Sequence, residues 1–137
     1  MAVLGDACHP TPPYQAQGAA LAVEDGATLG TLLGLCQKAA NGPDLPSVLK
    51  LYEEIRKRRT ALQLRGAIEC RDLFHLWETD DVERRNKLLQ TLTWDEAQVD
   101  FPWLWGNMSY QRELQDFDAI ASSVKAYEDR FGTSDKS

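Results

Sequence analysis

The sequence predicts a mainly α chain, with one strand end followed by about four helices. Three observations carry that expectation. Apolar residues recur at helical spacing, as Val48, Tyr52, Ile55 and Leu62 do. Helix punctuation recurs too, most clearly at Asn41-Gly42-Pro43. Only Ala2-Val3-Leu4 reads as the end of a buried strand, and the chain offers no convincing second strand to pair with it.

The elements follow in order. Ala7 to Gln17 contains Pro10, Pro12 and Pro13, which restrict φ and remove amide donors, so it is a loop. A first helix runs from about Gly18 to Ala40 and stops at Asn41-Gly42-Pro43. Pro46 opens a long second helix that reaches toward Trp77. Asp80 with Glu83 has capping-box spacing and opens a third helix to about Leu92, and Thr93 with Glu96 repeats the pattern. Phe101 to Gly106 is an aromatic turn, a last helical region covers roughly 110 to 131, and the polar tail from Gly132 is frayed.

Composition narrows the classes. The chain has 137 residues, 43% apolar and 26% charged, a globular balance sufficient for one domain. A formal net charge of −6 argues against nucleic-acid and anionic-membrane partners. Cys8, Cys36 and Cys70 are widely spaced and odd in number, which fits packed thiols in a reducing cytoplasmic compartment. No basic region leads into an apolar run at the N-terminus, so nothing there reads as a signal peptide. The apolar stretch from Gly18 to Leu35 is broken by Glu24 and Asp25 and is not read as a membrane span.

The first helix carries small residues at Gly18, Ala22, Gly26, Gly30 and Gly34, a spacing of four that places them along one side. Three interior glycines cost roughly 3 kcal/mol of helix propensity. The expected compensation is tight packing against a sheet, alone or with a cofactor approaching the helix start, and both need a body that 137 residues do not obviously supply. The helix start leaves unpaired N–H groups and a partial positive charge, which suit a phosphate, a carboxylate or a ring carbonyl that gains negative charge. Gly18 lets a ligand come close there, and Asp6 can accept hydrogen bonds from ligand hydroxyls.

His9 and His75 lack metal-ligand spacing, so His9 is expected to be packed and no metal is expected. Glu24 and Asp25 read as polar-face or loop-tethering residues rather than a catalytic pair. The run Arg56 to Arg59 reads as a solvated face with Glu53–Lys57 and Glu54–Arg58 pairs rather than a nuclear-localisation or phosphate patch, with one arginine a candidate for burial in a fuller chain. Trp94, Trp103 and Trp105 read as core aromatics.

Gly5-Asp6-Ala7-x-His9, then Pro13, Gln17-Gly18 and Glu24-Asp25-Gly26, closely resembles the second flavin-binding motif of FAD-dependent aromatic hydroxylases, in particular salicylate hydroxylase-like monooxygenases, including fungal ones. Tyr52-Glu53 with Arg56 and Arg59 is similar to that family's following helix. The specific part spans about Leu4 to Gly34, and a glycine often stands in the family where Ala16 stands here.

The resemblance implies that residues 1–40 are the flavin-proximal strand-loop-helix of an α/β, Rossmann-like FAD-binding fold, and that 41–137 form a C-terminal helical region. It implies that Asp6 hydrogen-bonds the ribityl chain of FAD, that Pro13 lies beside the isoalloxazine ring, and that the N–H groups of Gln17, Gly18 and Ala19 face the ring's pyrimidine edge. In that family NAD(P)H reduces the flavin and O2 supplies a hydroxyl to an aromatic substrate. No residue of this chain is assigned as catalytic. Such enzymes begin with a strand–GxGxxG–helix unit holding the ADP half of FAD, and this chain has no GxGxxG. It therefore reads as a partial chain that needs its N-terminal FAD-binding half or a partner. The alternative is a non-catalytic helical interaction module, or a degenerate paralogue without flavin, pairing through its glycine stripe and tryptophans.

Overall fold

The computed structural model describes residues 1–91 and 107–132, which form five α-helices and two short 3-10 turns, with no β-strand among them. The helices are α1 (Gly18–Lys38), α2 (Leu45–Phe74), α3 (Thr79–Gln90), α4 (Met108–Gln115) and α5 (Ala119–Phe131). The turns are Gly5–Ala7 and Pro13–Gln15. Thr93 with Glu96, the aromatic turn, Trp94, Trp103, Trp105 and residues 133–137 lie outside the described residues.

Leu4 has the extended φ and ψ of a strand, −127° and 157°, yet Ala2–Leu4 forms no strand. Extended backbone becomes a strand only when a neighbour pairs with it, and no described segment does. Asp44 caps α2 by accepting from the Ser47 amide at 3.0 Å, and Pro46 sits in the first turn, where no intrahelical donor is lost. α3 starts at Thr79 with Glu78 as its cap residue and no side-chain cap bond, so Asp80 and Asp81 act as first-turn acids rather than as a capping box. Its Arg85 reaches back to the carbonyls of Leu73 and Phe74 at the end of α2.

The expected last helix is broken in two. Asp118 accepts from the amides of Ile120 and Ala121, both at 2.9 Å, and so restarts the chain as α5. The core lies where α1, α2 and α5 meet: Leu32, Val48, Leu51, Tyr52 and Tyr127 are buried together, with Leu29, Ile55 and Phe131 packed on them.

A β-carbon at Gly26, Gly30 or Gly34 would meet nothing within 4 Å among the described residues, so this part of the stripe on α1 is open within the segment. By length and composition α1 is also apolar enough to cross a membrane, yet it packs on α2 and α5 and buries the charged Asp25. On α2, Glu53 pairs with Lys50 and Glu54 with Arg130, each at 2.9 Å, in place of the expected partners Lys57 and Arg58. Arg56 and Arg59 leave the solvated face and are buried.

Candidate functional site

Gly5 adopts φ 61°, a left-handed conformation that suits glycine, and folds the chain out of its extended start into a tight turn. Its N–H donates to the buried carboxylate of Asp25 at 2.7 Å, which fixes the turn against α1. Asp6 therefore projects from the turn as an exposed residue beside the start of α1. A β-carbon placed on Gly18 would lie 3.8 Å from Asp6 Oδ1. No side chain caps α1 at Gln17, and the first helical bond there is Leu21 N–H to the Gln17 carbonyl. The amides of Gly18 and Ala19 thus stand at an uncapped, positively polarised helix end next to a carboxylate. Asp6, Pro13 and Ala19 are exposed and Gln17 and Gly18 half-buried.

The loop leading to this point is pinned from two sides. Tyr14 hydrogen-bonds His75 Nε2 at 2.9 Å and meets that ring edge-on, which ties the loop to the end of α2. Gln15 turns the other way and is almost wholly buried. The Tyr110 hydroxyl of α4 donates to Gln15 Oε1 at 3.0 Å, and Gln15 Nε2 donates to the Cys70 sulfur at 3.8 Å. Ala16 then adopts φ 52° and ψ 30°, where L-residues are disfavoured. Its N–H closes on the Pro13 carbonyl at 3.0 Å.

Beneath the loop lies a buried ion-pair network. Asp25, fully buried, accepts from Arg56 Nε at 2.6 Å and from the Gly5 amide, and it shares a 2.6 Å bond with His9 Nε2. Burial would push the Asp25 carboxyl up, but the Gly5 amide, His9 and Arg56 outweigh it and hold the group below its ordinary 3.8. Glu24 bridges Arg56 at 2.7 Å and Arg59 at 2.9 Å. Arg59 also donates to the carbonyls of Glu113 and Leu114 at the end of α4, with Phe117 under its guanidinium at 4.5 Å. Four charged side chains from α1 and α2 thereby join the Gly5 turn, both long helices and α4. Asp25 is a tether, and it faces the interior rather than a polar surface.

Ligand atoms of Cys8, His9 and Asp25 lie within 4.8 Å of one another. Both Asp25 oxygens are already engaged by Gly5, His9 and Arg56, and the positive guanidinium disfavours a cation at that point. A groove of about 750 Å³ opens between Met1–Val3, His9 and the first turns of α2, and none of the five assigned residues lines it.

The residues that sequence reasoning missed are Gln15, Gly66 and Tyr110. Gly66, an interior glycine in a helix otherwise free of them, was the one available signal.

Residues 1–67 match the model of the FAD binding domain family. The chain is 41% identical over 122 residues to FAD-dependent monooxygenase OpS4 of Beauveria bassiana (strain ARSEF 2860), covering 89% of this chain and 27% of that protein. It is 39% identical over 106 residues to the 3-hydroxybenzoate 6-hydroxylase of Polaromonas naphthalenivorans (strain CJ2), covering 76% of this chain and 24% of the relative. It is 32% identical over 126 residues to notoamide E oxidase notB of Aspergillus sp. (strain MF297-2), covering 90% and 25%. The chain thus spans about a quarter of the length of these curated relatives.

Proposed function

We propose that this chain, whose residues 1–67 match the FAD binding domain family, forms the flavin-proximal wall of an FAD-dependent monooxygenase that hydroxylates a small aromatic substrate with NAD(P)H and O2. The observation that carries this reading is the juxtaposition of Asp6 with the uncapped start of α1, inside the region that matches the FAD binding domain family. The donor set fits the cofactor. An exposed carboxylate can accept from ribityl hydroxyls, and convergent backbone amides at a helix start can donate to a ring carbonyl that becomes anionic.

FAD, when bound, supplies the redox and oxygen chemistry. This chain's residues bind and orient. Asp6 holds hydroxyls in place. Gln17, Gly18 and Ala19 present N–H groups whose orientation is set before any charge develops, so stabilising that charge requires no rearrangement. Pro13 offers a rigid apolar surface to the ring. The adenine-proximal half of the cofactor and the substrate pocket are assigned to polypeptide beyond this segment, in keeping with the absence of a GxGxxG here. Relatives named as 3-hydroxybenzoate 6-hydroxylases support a small phenolic acid as the substrate class.

The test begins with the intact mass and visible spectrum of the native product that carries this segment. A flavin-loaded product is expected. Asp6→Ala removes charge-assisted hydrogen bonds, and its flavin affinity should fall about tenfold or more. Gly18→Val should also lose flavin by blocking approach to the amides. Unchanged flavin occupancy in both variants would overturn the assignment.

A further inference from the structure

We infer that Gln15 is a positioning residue for the turn that presents the Gln17–Ala19 amides, and that Tyr110 and the bare α-carbon of Gly66 are the walls that hold it. The inference rests on the flavin reading for its purpose but on independent geometry for its substance. Gln15 is 1% exposed although it sits in a surface loop. Its carbonyl oxygen takes the Tyr110 hydroxyl at 3.0 Å, and its amide nitrogen reaches the Cys70 sulfur at 3.8 Å. Burial pushes the Tyr110 phenol up, so it remains a proton donor through neutral pH.

Gly66 lies in the interior of α2, where glycine is a poor helix former. A β-carbon there would overlap the Tyr110 hydroxyl and lie 2.8 Å from Gln15 Nε2 and 2.9 Å from Oε1. The glycine is therefore what leaves room for the Gln15–Tyr110 pair. The next residue, Ala16, holds a left-handed conformation that an alanine does not choose unaided. Gln15 seated on one side and the start of α1 on the other anchor the backbone at both ends of this exposed alanine. The direction of the three amides is then fixed by a side chain that never touches the ligand.

The experiment is amide hydrogen exchange, with and without FAD, on the native product carrying this segment. Wild type, Tyr110→Phe and Gly66→Ala are compared. FAD should slow exchange at Gly18 and Ala19 in the wild type. Tyr110→Phe deletes one hydroxyl and keeps the ring. Exchange at Gln17, Gly18 and Ala19 should rise about fivefold, the loss of one hydrogen bond, with the amides of mid-α2 unchanged. The FAD concentration giving half-protection should rise by a similar factor, which a purely structural loss elsewhere would not produce. Gly66→Ala should loosen the same three amides from the opposite wall. Unchanged exchange at those amides, or equal acceleration throughout α2, would overturn the positioning role. Looser turns in both variants, with no FAD protection in the wild type, would uphold the role of Gln15 and sink the flavin reading instead.

Discussion

Asp25 is a carboxylate placed where it is costly to bury and where three donors make it tolerable. Its folded pKa is lowered, so its contribution to stability is fully present above its ordinary 3.8 and is lost as pH falls from there through the lower folded value. Acid unfolding should therefore steepen below about pH 4, and an Asp25→Asn variant should lack that component when melts are compared across pH. Asp25→Ala leaves Arg56 buried beside Glu24 alone, and urea titration should show a loss of roughly 3–5 kcal/mol. Gln63 presents the opposite case. Its side chain is fully buried, and among the described residues neither amide atom has a hydrogen-bond partner. Gln63→Met keeps the volume and removes the unsatisfied groups, so the same titration should show a gain of roughly 1 kcal/mol.

At the scale of elements, glycine has two meanings that the sequence does not separate. Gly26, Gly30 and Gly34 on α1 and Gly66 on α2 look alike as interior helical glycines. The structure gives the first three open space and the last a crowded wall. Gly30→Ala in this chain should raise stability by about 1 kcal/mol, the propensity difference alone. Gly66→Ala should lower it despite the better helix former, because Tyr110 and Gln15 must move. Thermal melts of the two variants should shift in opposite directions. The helices themselves were legible, since Asn41-Gly42-Pro43, Pro46 and the apolar spacing are local signals. The break at Asp116–Asp118 was written there too, as an aspartate before Ala119, but it competes with an apolar rhythm that continues across it.

For the whole molecule, the candidate site was legible in part because its core is sequential. Asp6, Pro13 and Gln17–Ala19 lie within fourteen residues of chain, so one motif carries them. Tyr110 is 95 residues from Gln15, and no local pattern announces a pairing that only tertiary packing creates. Arg56 and Arg59 were hidden for a related reason: their neighbours in sequence are Lys57 and Arg58, while their partners Glu24 and Asp25 lie on another helix. The exposed stripe and Val23 on α1 favour a helical interaction module. A stable dimer of the flavin-free chain on size-exclusion would support it, and a monomer would count against it.

The seat of Gln15 on Cys70 has a practical consequence. Cys8 is exposed, Cys36 partly covered and Cys70 buried beneath the loop, so the three thiols form a graded clock within one polypeptide. An alkylating reagent should mark them in that order. The lag before Cys70 is modified would time how often the loop lifts from the body.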